Sequence, residues 1–242
     1  MCGRFTLTRG DLDELASELD AVVEPEYRAL YRPRFNIAPT DPHWIVRARH
    51  EARELTPARW GLVNSWAPDM KGAARQINAR SETAPTSRAF RDAFGERRCV
   101  VPADGFFEWT GTKQARKPLW FHSPHGDLLL FAGLYESWLD KSTSEWVRTF
   151  TILTTSANKT VEPVHDRMPV ILPRDRIDEW LHVPAQGREQ YAQEVRRLLV
   201  PADESVLVAT PVSPRVNSVQ NDDPACLEPD LDGEAAGTPR LL

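Results

Sequence analysis

Between residues 43 and 155 the chain is a succession of short apolar or alternating runs, each ended by proline, glycine or a polar turn. They read HWIVRARH (43–50), ELTPARWGLV (54–63), CVVP (99–102), GFFEW (105–109), PLWFH (118–122), LLLFAGLYESW (128–138) and WVRTFTILTT (146–155). Runs of this length and composition are strands. Pro57 removes a ladder donor from the second and marks an edge or a bulge, and WLDKSTSEW spaces the last two as a hairpin. Helical periodicity is confined to the flanks. Leu12, Leu15 and Leu19 fall on one face after Thr8-Arg9-Gly10-Asp11, which reads as a capping box. DRIDEWL (175–181) and GREQYAQEVRRLL (187–199) predict two later helices, and SVLVAT (205–210) a last strand. The proline-rich stretch 24–42 reads as an ordered loop. Strands gathered together with helices at their sides give an α+β class: one domain with a curved, barrel-like, mainly antiparallel sheet flanked by helices.

With 242 residues, 41% of them hydrophobic, the chain can bury a sizeable core as one unit. The domain is expected over 2–229. Residues 230–242, acidic and rich in proline, glycine and alanine, predict a disordered tail. Three cysteines, Cys2, Cys99 and Cys226, are too few and too scattered for a disulfide framework, which favours a reducing compartment. The N-terminus lacks an apolar export segment, and no run reaches the roughly 20 apolar residues of a membrane span. The expected location is cytoplasmic, with no membrane partner. His122 and His125 in HSPH have no cysteine ligands nearby, and glycine-rich phosphate loops are absent, so neither a metal nor a cofactor is expected.

Net charge is −5, but it is unevenly spread. Residues 10–27 hold seven acids and no base, whereas residues 28–221 hold 27 bases against 22 acids. Of the 30 bases, 25 are arginines, whose planar fork suits phosphate. A codon bias toward arginine accounts for the same count.

The opening MCGRF is chemically distinctive. Once Met1 is removed, Cys2 carries an α-amine and a thiol on adjacent carbons. An α-amine ordinarily titrates at about 7.8, against about 10.4 for a lysine side chain, so it is substantially neutral near neutral pH. Four polar islands interrupt the apolar pattern: Cys2 with Arg4, QINARSET (76–83), Glu108 within GFFEW, and PVHDRMP (163–169) with His165 and Arg167. A cysteine with a distant histidine and asparagine fits thiol catalysis, including a cysteine peptidase using Cys2, His165 and Asn78. His165 beside Asp166 fits a satisfied structural histidine equally well. Glu108 lies among aromatics, where desolvation raises a carboxyl pKa and suits it to proton transfer; an alternating strand also permits a solvent-facing position. Trp66, in the turn-like LVNSWAPDM, suits a stacking surface for a base.

MCGRF, RFNIAPT, RWGLVNSWAPD, INARSET, CVVPADGFFEWT, HDRMPVIL and VNSVQNDDP, in that order, closely resemble the SOS response-associated peptidase (SRAP) family over roughly residues 2–229. The resemblance implies a single α+β domain around a barrel-like sheet. It implies action on abasic sites in single-stranded DNA, in which the N-terminal cysteine forms a thiazolidine crosslink that shields the lesion. By position, Cys2 matches the crosslinking residue, Asn78 the active-site asparagine, and Glu108 and His165 the proton-handling pair. Arg80 and Arg167 match phosphate-binding arginines, Arg4 belongs to the same basic surface, and Pro39 and Trp66 match positions that wedge against and stack on DNA. Asn64 departs from a proline common in the family, and Ser218 and Gln220 lie in a variable motif. The implied partner is abasic single-stranded DNA bound by a monomer, nucleoid-associated when on DNA. A lyase side reaction and removal of Met1 are implied too. A non-catalytic single-strand binder using Trp66 and the arginines is the third reading.

Overall fold

The computed structural model describes residues 3–50, 52–112 and 115–230. Cys2 and nearly all of the expected tail lie outside the described residues. Among the described residues thirteen strands run in chain order as β1 (Phe5–Leu7), β2 (Ala21–Val22), β3 (Arg34–Ile37), β4 (Pro42–Arg49), β5 (Ala52–Trp60), β6 (Asn78–Arg80), β7 (Arg98–Ala103), β8 (Gly105–Thr112), β9 (Ala115–His122), β10 (Leu129–Asp140), β11 (Glu145–Ser156), β12 (Arg167–Pro169) and β13 (Val208–Pro211). Four short α-helices among the same residues, α1 (Leu12–Glu18), α2 (Arg91–Glu96), α3 (Ile177–Leu181) and α4 (Arg188–Glu194), lie outside the sheets.

Strands β5, β4, β7, β10 and β11 follow one another as antiparallel neighbours, and β11 returns to β5 through a parallel pairing, Thr149 with Arg59 and Phe150 with Trp60. This closes a five-stranded barrel. A second, antiparallel sheet has the order β13-β9-β8-β1-β3. Phe5 joins the two layers: its ring meets His43 at 4.6 Å, Trp60 at 4.9 Å and Phe131 at 6.2 Å. Burying such an aromatic contributes about 2–3 kcal/mol. The α+β, barrel-like architecture expected from the sequence is therefore the one observed.

The outer face of β8 is covered by a C-terminal strap. Phe107 packs with Val212, Val216 and Cys226, joined by Phe35, Trp109 and Leu227, while Phe106 on the opposite face belongs to the main core. Asp230, placed in the tail by the sequence, still donates its N–H to the Pro211 carbonyl at 3.2 Å.

Several local expectations are corrected. The cap of α1 is Asp11, whose carboxylate accepts the amides of Asp13 at 2.7 Å and Glu14 at 2.9 Å. Thr8 instead gives its amide to Asp104. The 24–42 stretch holds a 3-10 turn (Pro25–Leu30) and all of β3. Pro57 lies in β5 between its contacts with β2, which reach Glu54, and those with β11, which begin at Arg59; only β4 pairs there, so no ladder bond is lost on the open side. Near the helix ends, buried Arg98 donates to Phe94 and Trp180 carbonyls, each at 2.7 Å, tying α2 to α3; burial lowers its pKa to about 10.

Candidate functional site

Strand β1 runs between β8 and β3, pairing Phe5 with Phe106 and with Ile37. On the other side of β8, Gly105 lets β9 pack closely, since a Cβ there would overlap the Trp120 indole nitrogen and the Phe121 carbonyl. The chain before β1 is aimed along β8, and Phe107 N–H bonds the Arg4 carbonyl at 3.0 Å. Gly3, the residue bonded to Cys2, lines a cavity of ≈ 650 Å³ together with Arg4, Pro39, Glu108, Arg116 and Asn217.

Glu108 follows Phe106 on the same face of β8 and is only 6% exposed. Burial pushes its carboxyl above the usual range, with nearby positive charge, that of a protonated His165 included, acting the other way. A group poised in this way exchanges protons near neutral pH more readily than a solvated carboxylate. His165 precedes β12. Its Nδ1 accepts the Arg167 amide at 2.9 Å and lies 3.0 Å from the exposed Asp166 carboxylate. The Nδ1 edge of the ring therefore meets one backbone donor and one carboxylate.

Asn78 and Arg80 share one face of β6, which pairs in parallel with β11. Arg80 is exposed and Asn78 half-buried. Arg167, on β12 across β11, is joined to Glu82 by two bonds, Nη1 to Oε1 at 2.6 Å and Nη2 to Oε2 at 2.8 Å, and Nη2 also donates to the Thr154 carbonyl at 2.6 Å. Arg4 directs Nη1 to Asn36 Oδ1 at 2.7 Å and the Val216 carbonyl at 3.0 Å, and burial lowers its pKa.

Trp66 stands on a separate loop, 57% exposed, with the Arg88 guanidinium 5.1 Å from its ring centre. Trp138 pins that loop by donating Nε1–H to the Ala67 carbonyl at 2.8 Å, and the Asn64 carbonyl accepts the Ala67 amide at 2.8 Å. Sequence reading missed Glu82, Asn36, Trp109 and Arg116. Glu82 lies within INARSET and Asn36 within RFNIAPT, so the motifs contained them, but only the fold reveals their partners.

Among the described residues no group of three or more His, Cys, Asp or Glu side chains is placed to hold a metal ion. No helix among them is long and apolar enough to cross a membrane. Cys99 and Cys226 are buried free thiols, both pushed up by burial.

The family described as SOS response associated peptidase (SRAP) matches residues 1–219. The chain belongs to the SRAP family. Abasic site processing protein YoqW of Bacillus subtilis is 37% identical to this SRAP chain over 237 residues, covering 94% of it and 99% of the relative. Abasic site processing protein YedK of Escherichia coli is 30% identical, covering 95% and 100%. Abasic site processing protein HMCES of Gallus gallus is 30% identical, covering 85% of this chain and 69% of its own length. A solved structure from Bacteroides thetaiotaomicron superposes with a TM-score of 0.83 over 95% of this chain and all of that one, at 23% identity. That likeness concerns the SRAP fold.

Proposed function

We propose that this SRAP-family chain processes abasic sites in single-stranded DNA by capturing them covalently through Cys2. The observation that carries the reading is the cavity shared by Gly3, one bond from Cys2, and the buried carboxyl of Glu108. The abasic processing names of YoqW, YedK and HMCES support the substrate class.

With Met1 removed, the chemistry follows from the residue types. An abasic deoxyribose is mostly a closed hemiacetal, so a proton must leave its C1′ hydroxyl and one must reach the ring oxygen before the aldehyde is free. Glu108 and His165 divide that task. The Cys2 amine then adds to the aldehyde and water leaves, giving an imine. The thiol of the same residue adds across the C=N bond, sulfur to carbon and its proton to nitrogen, closing a five-membered thiazolidine. Amine and thiol on one residue supply the proximity that makes closure fast. Asn78 hydrogen-bonds the adduct. Arg80 and Arg167 hold flanking phosphates, Arg4 lines the basic wall, and Pro39 and Trp66 wedge against and stack on the strand. The imine also opens a β-elimination route, and protonation by Glu108 a route to reversal.

The test is incubation with an abasic single-stranded oligonucleotide followed by denaturing electrophoresis. A heat-stable shifted species should form with wild type and vanish in Cys2→Ala; persistence in Cys2→Ala contradicts the proposal. Turnover of a peptide substrate with indifference to abasic DNA favours the thiol peptidase reading.

A further inference from the structure

The guanidinium of Arg167 is held on two sides. The Thr154 carbonyl of β11 fixes Nη2 from the protein interior, and the Glu82 carboxylate covers the outer edge with two parallel bonds of 2.6 and 2.8 Å. The two partners differ in freedom. The Arg167 side chain is 14% exposed, whereas that of Glu82 is 53% exposed. Two parallel N–H···O bonds to one fork are also the geometry with which arginine takes a phosphate.

We propose that Glu82 is an internal stand-in for a DNA phosphate, which a backbone phosphate of single-stranded DNA displaces from Arg167. The proposal rests on the reading of Arg167 as a phosphate ligand and goes beyond it by assigning a competitor to that ligand. On displacement, Thr154 keeps the guanidinium in place, so the outer edge needs no reorientation. Glu82 swings into water, at the cost of a carboxylate that has lost its partner. That pairing holds the Glu82 carboxyl below its usual range.

Two consequences follow. First, Arg167 does not contribute a standing positive charge that would trap any passing polyanion, and only a strand seated well enough to displace Glu82 gains the contact. The competitor therefore selects for docked DNA over loosely held DNA. Second, binding replaces one ion pair by another and releases fewer counterions than a bare arginine would.

Glu82→Gln keeps the size and one acceptor oxygen but removes the charge. Measured by fluorescence anisotropy on an undamaged single-stranded oligonucleotide, this variant is expected to bind about two- to fivefold tighter than wild type, the scale of an exposed ion pair. The slope of log affinity against log salt should steepen by up to about 0.7. Arg167→Ala, measured alongside, should bind more weakly than wild type, and Glu82→Gln in the Arg167→Ala background should show little of the gain. If Arg167→Ala weakens binding but Glu82→Gln binds no tighter, Glu82 is a mere positioning partner and the proposal is overturned alone. Unchanged affinity in Arg167→Ala removes the phosphate-ligand reading and the competitor with it. Thermal melting of each variant separates loss of fold from loss of contact.

Discussion

Asp222 Oδ1 accepts the backbone N–H of Asn36 at 2.9 Å across 186 positions of chain. Asn36 answers with its own side chain. Nδ2 is shared among the carbonyls of Val216 at 3.2 Å, Ser218 at 2.9 Å and Asn221 at 2.7 Å, while Oδ1 receives Arg4. One fully buried amide thus joins the segment before β1, strand β3 and the strap that walls the Glu108 cavity. Asn36→Ala leaves these carbonyls and the Arg4 guanidinium without it, and is expected to cost about 2–4 kcal/mol in urea unfolding. The same variant should slow crosslinking under conditions where the fold is intact.

Glu108 ties stability to pH. Burial favours its neutral form in the fold, so the unfolded chain releases this proton first as pH rises from about 4.3. Its contribution is full below that pH and is lost as pH climbs through the raised native value. Glu108→Gln should therefore be more stable than wild type at neutral pH, with the difference fading toward pH 4 in a series of thermal melts. The pH dependence of the crosslinking rate should flatten in the same variant, because its titrating group is gone.

His43 has the opposite dependence. It is fully buried, its pKa lowered to about 3 by desolvation, and its Nε2 contacts the Pro102 carbonyl at 2.9 Å, the contact of a neutral donor ring. Below about pH 6.5 the unfolded chain binds a proton that the fold refuses, so stability falls by up to about 1.4 kcal/mol per pH unit down to about pH 3. Urea titrations at pH 6, 5 and 4 should show a shallower decline in His43→Gln than in wild type, even though the variant loses the ring's packing on Phe5.

Trp66 and Trp138 separate contact from support. Trp66→Ala is expected to weaken single-strand binding by about 1–2 kcal/mol, the scale of one base stack, with stability within about 0.5 kcal/mol of wild type. Trp138→Phe keeps most of the packing but removes the bond to Ala67, and should give a smaller loss of affinity. Equal affinity for wild type and Trp138→Phe, measured by anisotropy, would show that the loop holds its shape without that bond.

The long strands β4, β5 and β7 to β11 were legible because each carries its own apolar or alternating run. The strands β1, β3, β6 and β12 are three or four residues long, and read FTL, RFNI, NAR and RMP. Nothing local marks NAR or RMP as extended; both owe their ladder to β11. The Asp11 cap was obscured because Thr8 looked the better residue until Asp104, 96 positions away, claimed its amide. At the site, Glu108 stood out as a carboxyl among aromatics. Glu82 did not, because a glutamate close to an arginine within one motif is ordinary until β12 delivers Arg167 to it.

The amino end leaves the ribosome first, yet its surroundings are made late. Besides Arg4 and Pro39, the neighbours of Gly3 in the cavity come from residues 108–112 of one hairpin arm, from Arg116, and from Asn217 and Val219 of the strap. A translation product that stops short of the strap carries the same first residues with an incomplete pocket around them. Closure of the cavity around Gly3 is thereby made to wait on residues more than two hundred positions downstream, and a polypeptide lacking them is left without that wall.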